Sequence, residues 1–147
     1  NAGRLHIAKL MVQKNYAKNI KDAFARFLAE DRVAYVAKAK LTVEEAIDLV
    51  KDVKGVSILA HPGLFNADEM IPQWTKYGLN GIEVFHPDHT YEDMNKYMDI
   101  ANANGLLVSG GSDCHGTSKD YTRIGKIRLP YEYYDKIQKF KNKVYGE

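Results

Sequence analysis

With 147 residues, 45% of them hydrophobic and 27% charged, the chain has the size and composition of one globular domain able to bury a core. A formal charge of +2, with Lys and Arg interspersed among Asp and Glu, offers no basic surface of the kind that nucleic-acid grooves or anionic membranes select. The single cysteine, Cys114, excludes an internal disulfide and a CxxC metal site and fits a reducing, cytoplasmic setting, and no apolar run reaches the roughly 20 residues that span a bilayer.

Asn1-Ala2 reads as the remnant of a cleaved tag and is set aside. From Arg4 to Gln13 the residues Leu5, Ala8, Leu10, Met11 and Val12 form a roughly helical apolar face, and Lys14-Asn15 offers a stop. A second helix is expected from about Lys18 to Leu28. Asn19, with Asp22 three positions on, reads as its N-cap, and Ile20, Ala23, Phe24, Phe27 and Leu28 recur at helical spacing. Val33-Ala34-Tyr35-Val36 is β-prone but short, either a strand or an extended connection. Residues 3–40 are thus expected to form a small helical insertion unit.

The pattern changes at residue 41. Thr42 and Glu45 form a capping box for a helix carrying Val43, Ala46, Ile47 and Val50, and Gly55 follows its end. Residues 56–60 should be a strand that runs into His61-Pro62-Gly63. A helix with Pro72 in its first turn leads to Gly78, and a second strand, 81–85, runs into His86-Pro87-Asp88-His89. Thr90 caps the next helix, whose buried face should be Tyr91, Met94, Tyr97, Met98 and Ala101. The strand 106–109 then enters Gly110-Gly111-Ser112-Asp113-Cys114-His115. Ile127 and Leu129 alternate as an edge strand, and a last helix buries Tyr133, Ile137, Phe140 and Val144. Helices alternating with short, nearly continuous apolar strands predict an α/β fold whose parallel strands are covered on both faces.

The chemistry gathers by position. Three successive strands end in histidine-bearing turns, and parallel strands put those ends on one face, where sites of α/β folds are built. Four of the five histidines lie there. Asp113 and His115 form a D-x-H pair, and residues two apart on an extended segment point to the same side. Imidazole with carboxylate suits zinc, manganese or iron(II) and favours a catalytic metal with open positions over a closed structural one. Gly110-Gly111 permits a turn that aims N–H groups at an anion. A lone histidine beside a proline is ordinarily a turn residue, and a lone D-x-H is equally weak; their coincidence on one face is what argues for a site. His86 and His89 divide evenly between ligation and capping of the following helix. Cys114 reads as packing, and His6 as a surface or capping residue of its helix, with Arg4 beside it suited to a phosphate.

Four segments together resemble the motifs of the PHP (polymerase and histidinol phosphatase) phosphoesterases: Gly3-Arg4-Leu5-His6-Ile7-Ala8, Leu59-Ala60-His61-Pro62-Gly63, Gly81-Ile82-Glu83-Val84 with His86 and His89, and Gly111-Ser112-Asp113-Cys114-His115-Gly116. The nearest subgroup is the TrpH-like one, with its nucleoside 3′,5′-bisphosphate phosphatases and the 5′-3′ exoribonuclease RNase AM. The resemblance implies the C-terminal portion, residues 41–147, of a distorted (β/α)7 barrel that binds up to three divalent ions. His61, Asp113 and His115 match metal ligands and the catalytic centre; Arg4, His6 and His89 match positions near the substrate phosphate; His86 and Glu83 are further candidates. The implied reaction is attack on phosphorus by a metal-bound hydroxide, with a phosphorylated small molecule or short oligoribonucleotide as substrate. The family's first-strand His-x-His pair, and the Asp, His, Glu and His that follow it, are not in this sequence. Each ion would keep about one protein ligand, so the chain is expected to need a complementary N-terminal half, to be inactive alone, and to self-associate through an uncovered sheet edge. The alternatives are a PHP module kept for binding or structure, and an unrelated α/β metal hydrolase of similar strand-end design.

Overall fold

In the computed structural model, residues 3–37, 41–65, 67–115 and 123–146 are described, and the chain divides into two compact units, Asn1–Lys40 and Leu41–Glu147. Asn1-Ala2 and Gly116 lie outside the described residues.

In the first unit α1 spans Arg4–Gln13, and the His6 ring caps it, Nδ1 accepting from the Gly3 N–H at 3.1 Å. Its chain turns away where Asn15 takes a φ of 61°, a conformation that asparagine tolerates better than most residues. The expected Asn19 cap is present, its Oδ1 accepting from the Asp22 N–H at 2.9 Å. Helix α2, Ile20–Ala23, does not stay α-helical to Leu28: it passes into a π-helical turn, Phe24–Leu28, in which the Ala29 N–H reaches the Phe24 carbonyl at 2.9 Å. Ala8, Ala17, Ala23 and Leu28 form the small core, with Met11, Val12, Phe24 and Phe27 packed on it. Leu5, Leu10 and Ile20, expected on buried faces, are exposed, because so small a core covers only the alanine-rich side of each helix. Residues 33–36 are turn and coil, and Val33 and Val36 are exposed, so this segment is a connection.

In the second unit α3, Val43–Asp52, starts in the expected capping box: Thr42 Oγ1 accepts from the Glu45 N–H (3.1 Å), and Glu45 Oε2 accepts from the Thr42 N–H (2.7 Å). Among the described residues three strands follow, β1 (Ile58–Leu59), β2 (Gly81–Phe85) and β3 (Leu107–Gly110), in the order β1-β2-β3 and all parallel. Ile58 pairs with Gly81, and Gly81 with Leu107. Strand β1 is shorter than the sequence pattern predicts. Ser57 is engaged instead by Asn80, whose Oδ1 accepts from both the Ser57 N–H and hydroxyl at 3.0 Å, and beyond Leu59 the chain bends into the His61 turn. Helix α4 (Ile71–Tyr77) carries Pro72 in its first turn, where no intrahelical N–H is missed. Helix α5 (Tyr91–Asn104) begins at the Thr90–Asp93 capping box and ends on Gly105 with φ 65°, which glycine adopts without a Cβ penalty.

The central strand explains the core. Ile82 and Val84, both fully buried, share one face of β2 and join Ile47, Ile71, Trp74, Tyr97, Ala101 and Val108 in one cluster. Removing two such side chains from water stabilises the fold by roughly 1.5–3 kcal/mol each. On the opposite face Phe85 meets Tyr133 of α6 (Tyr131–Tyr145), ring centroids 5.7 Å apart. Two expected burials fail at helix ends: Tyr91 in the first turn of α5 is exposed, and so is Val144 near the end of α6, where Tyr145 instead donates its hydroxyl to the Gly55 carbonyl at 3.0 Å. The expected edge strand at Ile127 and Leu129 does not form. Both side chains are half-buried in alternation, but among the described residues the segment pairs with no strand, and it meets Pro130, which has no N–H to give a ladder. No helix among the described residues is long and apolar enough to cross a membrane.

Candidate active site

Because the strands are parallel, their carboxyl ends open on the same side, and the turns after them carry the histidines. His61 follows β1, His86 and His89 follow β2, and Asp113 and His115 follow β3. The His61 and His86 rings lie 5.6 Å apart, His86 and His89 5.3 Å, and His86 Nε2 is 3.9 Å from Asp113 Oδ2. Two of these residues hold left-handed backbone that non-glycine residues rarely adopt, His61 at φ 31° and Asp113 at φ 47°.

Glu83 braces the first turn. Its Oε2 accepts from the His61 N–H at 2.7 Å, and its Oε1 reaches towards Gly111, where a Cβ would meet it at 3.4 Å. The β2 carboxylate thereby holds the loop after β1 and lies close to the start of the loop after β3. Gly63 takes part through contact: its N–H donates to His89 Nε2 at 3.2 Å, and a side chain there would strike the His89 ring. Gly110-Gly111 serves the sheet. A Cβ on Gly110 would lie 2.6 Å from that of Phe85, and the Gly111 N–H donates to the Phe85 carbonyl at 3.0 Å.

Hydrogen bonds fix the histidine tautomers. A carbonyl only accepts, so His89, whose Nδ1 lies 2.8 Å from the Val84 carbonyl, is protonated there, leaving Nε2 to accept from Gly63. The same reasoning puts a proton on His115 Nδ1, 2.7 Å from the Asp113 carbonyl, and presents its Nε2 lone pair outward on an exposed ring. His86 is the reverse: Nδ1 accepts from the Asp88 N–H at 3.1 Å, so the neutral ring carries its proton on Nε2. Burial pushes the His86 pKa down, opposed by the nearby charges of Glu83, Asp88 and Asp113 and helped by His89. His61 Nδ1 and His86 Nε2 are buried with no hydrogen-bond partner among the described residues.

The expected site residues therefore divide. His61, His86, His89 and Asp113 converge, with Glu83 beneath and His115 on the rim beside Asp113, its Nδ1 3.7 Å from Asp113 Oδ1. The D-x-H pair meets through the positive-φ turn at Asp113, not through strand alternation, because β3 has already ended at Gly110. His89, expected beside a substrate phosphate, has both ring nitrogens engaged within the protein. Arg4 and His6 belong to the other unit, where Arg4 Nη1 donates to the Leu28 carbonyl at 3.4 Å and the guanidinium lies 5.6 Å from the centroid of the Tyr35 ring. Among the described residues no group of three or more His, Cys, Asp or Glu side chains is arranged to hold one ion. Sequence reasoning missed Arg123, which is 6% exposed and donates from Nη1 to Asp88 Oδ2 at 2.6 Å. A lone arginine in a polar loop carries no sequence signal for that contact.

No family model matches the chain. Among curated proteins it is 28% identical over 127 residues to a 3′,5′-nucleoside bisphosphate phosphatase of Chromobacterium violaceum, an alignment covering 83% of this chain and 45% of that protein. It is 37% identical over 86 residues to the phosphoribosyl 1,2-cyclic phosphate 1,2-diphosphodiesterase of Eggerthella lenta, covering 58% and 32%. To the 5′-3′ exoribonuclease Rnm of Escherichia coli it is 27% identical over 117 residues, covering 76% and 40%. Among solved structures, one assigned as a metal-dependent phosphoesterase from Bifidobacterium adolescentis superposes with a TM-score of 0.73 at 30% identity, over 92% of this chain and 49% of that one. An amidohydrolase from Chromobacterium violaceum, with sulfate bound and no metal, gives 0.64 at 26% identity, over 93% and 50%. The chain thus spans a third to a half of the length of the proteins it matches.

Proposed function

We propose that the chain is the C-terminal part of a PHP-type barrel and carries part of the active site of a cytoplasmic, metal-dependent phosphoesterase, acting on nucleoside 3′,5′-bisphosphates or the 5′ ends of short RNA. The observation that carries this reading is the convergence of His61, His86, His89 and Asp113 at the ends of three parallel strands. Relatives named for phosphate-ester hydrolysis support it.

The donor set fits a divalent transition ion. It pairs imidazole with carboxylate, and a buried His61 ring nitrogen lacks a protein partner. His61, Asp113 and His115 would each give one ligand to a different divalent ion, manganese, zinc or iron, with His115 already donating its Nδ1–H to a carbonyl as metal-binding imidazoles do. Such an ion, when bound, supplies a nucleophile at neutral pH and neutralises charge on the departing oxygen. Glu83 keeps the His61 turn in place, and His89 supports that turn through Gly63.

Ligands outside this chain complete each ion, which makes the isolated chain a weak metal binder and inactive. Strand β1 stands at the edge of the sheet, beside an apolar groove of about 490 Å³ lined by Val43, Ile47, Val50, Val56 and Ile58. A complementary half of the domain would cover that edge, and in its absence the chain is expected to self-associate. Calorimetric titration of manganese into the chain tests the assignment. Weak binding that His61→Ala and Asp113→Ala each diminish is expected; a tight site holding three ions in this chain alone overturns the shared-ligand reading.

A further inference from the structure

We propose that His86 is a positioning residue for Asp113, donating its Nε2–H to the outer oxygen of that carboxylate, and that the Asp88–Arg123 pair holds it in the tautomer this requires. The inference rests on the reading of Asp113 as a metal ligand and gives a task to a histidine which that reading leaves idle. His86 is fully buried, and its Nε2 has no hydrogen-bond partner among the described residues. Its other nitrogen accepts from the Asp88 amide at 3.1 Å, and an amide N–H cannot accept in return. The proton of the neutral ring is therefore on Nε2, which bars that atom from ligating a cation and makes it a donor.

What the donor faces is Asp113 Oδ2, 3.9 Å away, a gap that a small rotation of the carboxylate closes to hydrogen-bonding distance. Carboxylates that grip a metal through one oxygen are ordinarily held by a hydrogen bond to the other. Arg123 secures the arrangement from behind: almost wholly buried, it binds Asp88 Oδ2 at 2.6 Å and so anchors the residue whose amide sets the His86 tautomer.

The experiment uses the full chain labelled with ¹⁵N-histidine, long-range ¹H–¹⁵N spectra, and His86→Gln to assign the His86 signals by difference. An unprotonated Nδ1 and a protonated Nε2 are expected, both retained on adding zinc. In Arg123→Met the single tautomer should give way to a mixture. Glutamine offers an N–H near the Nε2 position, so His86→Gln should keep apparent zinc affinity within about twofold, while His86→Leu lowers it about tenfold. A proton on Nδ1, a zinc-ligated His86 Nε2, or His86→Gln as damaging as His86→Leu would overturn the assignment. If zinc moves neither the His61 nor the His115 signals while His86 keeps its Nε2–H, the metal reading fails and takes the carboxylate-holding role with it; a reversed tautomer refutes the role of His86 alone.

Discussion

Replacing Gly63 by alanine puts a methyl group into a tightly packed contact beneath the candidate site. A Cβ there would lie 2.8 Å from His89 Cδ2, 3.0 Å from Nε2 and 3.4 Å from Tyr97 Cε2. Ordinary carbon contacts need about 3.5–4.0 Å, so one ring must retreat by something approaching 1 Å. Neither is placed to do so. His89 is held at both nitrogens, and Tyr97, 1% exposed, donates its hydroxyl to Asp68 Oδ1 at 2.9 Å. Overpacking of this kind costs about 1–3 kcal/mol, and loss of the Gly63–His89 hydrogen bond about 0.5–1.5 kcal/mol more. Gly63 is not in the left-handed region, so alanine also narrows the unfolded ensemble and returns roughly 0.4–1 kcal/mol. The net destabilisation is about 1–4 kcal/mol. Urea unfolding followed through the fluorescence of Trp74, the sole tryptophan and a core residue of the same unit, reads it directly. A midpoint equal to or above that of the parent chain would refute the packing argument.

Glu83→Gln should lower stability by about 1–2 kcal/mol, since the His61 N–H then meets a neutral acceptor in place of a charged one, and should weaken manganese binding in the same titration. Thr42→Ala removes the cap of α3 and should cost about 1 kcal/mol in urea unfolding while leaving metal binding unchanged, since the cap plays no part in the candidate site. Asp93 has its pKa lowered chiefly by the Thr90 N–H, then by the Thr90 hydroxyl. Its contribution is therefore present above the ordinary carboxylate pKa and is lost as pH falls through the lower folded value, so Asp93→Asn should flatten the acid limb of a stability–pH profile; an unchanged limb would count against that linkage.

The elements with strong local punctuation were legible in the sequence. The capping box at Thr42 and the cap at Thr90 give two helix starts, and the apolar run in 81–85 gives the central strand. What periodicity cannot supply is a partner. Ile127 and Leu129 alternate as a strand would, yet a strand exists only if another lies alongside, and none does among the described residues. The π-helical turn at Phe24 has no distinct residue signature, since α and π turns bury similar faces. At the candidate site, residue types and strand ends were readable, and so was the shared mouth that follows from parallel strands. Which histidine nitrogen is spoken for was not, because it depends on amides and carbonyls brought from other loops, as with Gly63 on His89 and Asp88 on His86. Arg123 lies furthest from prediction, joined to Asp88 across 35 residues of sequence.

Phosphate release from a nucleoside 3′,5′-bisphosphate by this chain mixed with the separately expressed N-terminal half of the domain, in manganese, tests the account most directly. Activity should arise only on mixing and should vanish with Asp113→Asn or His61→Ala. Turnover by a mixture carrying either substitution at the rate of the parent pair would contradict it.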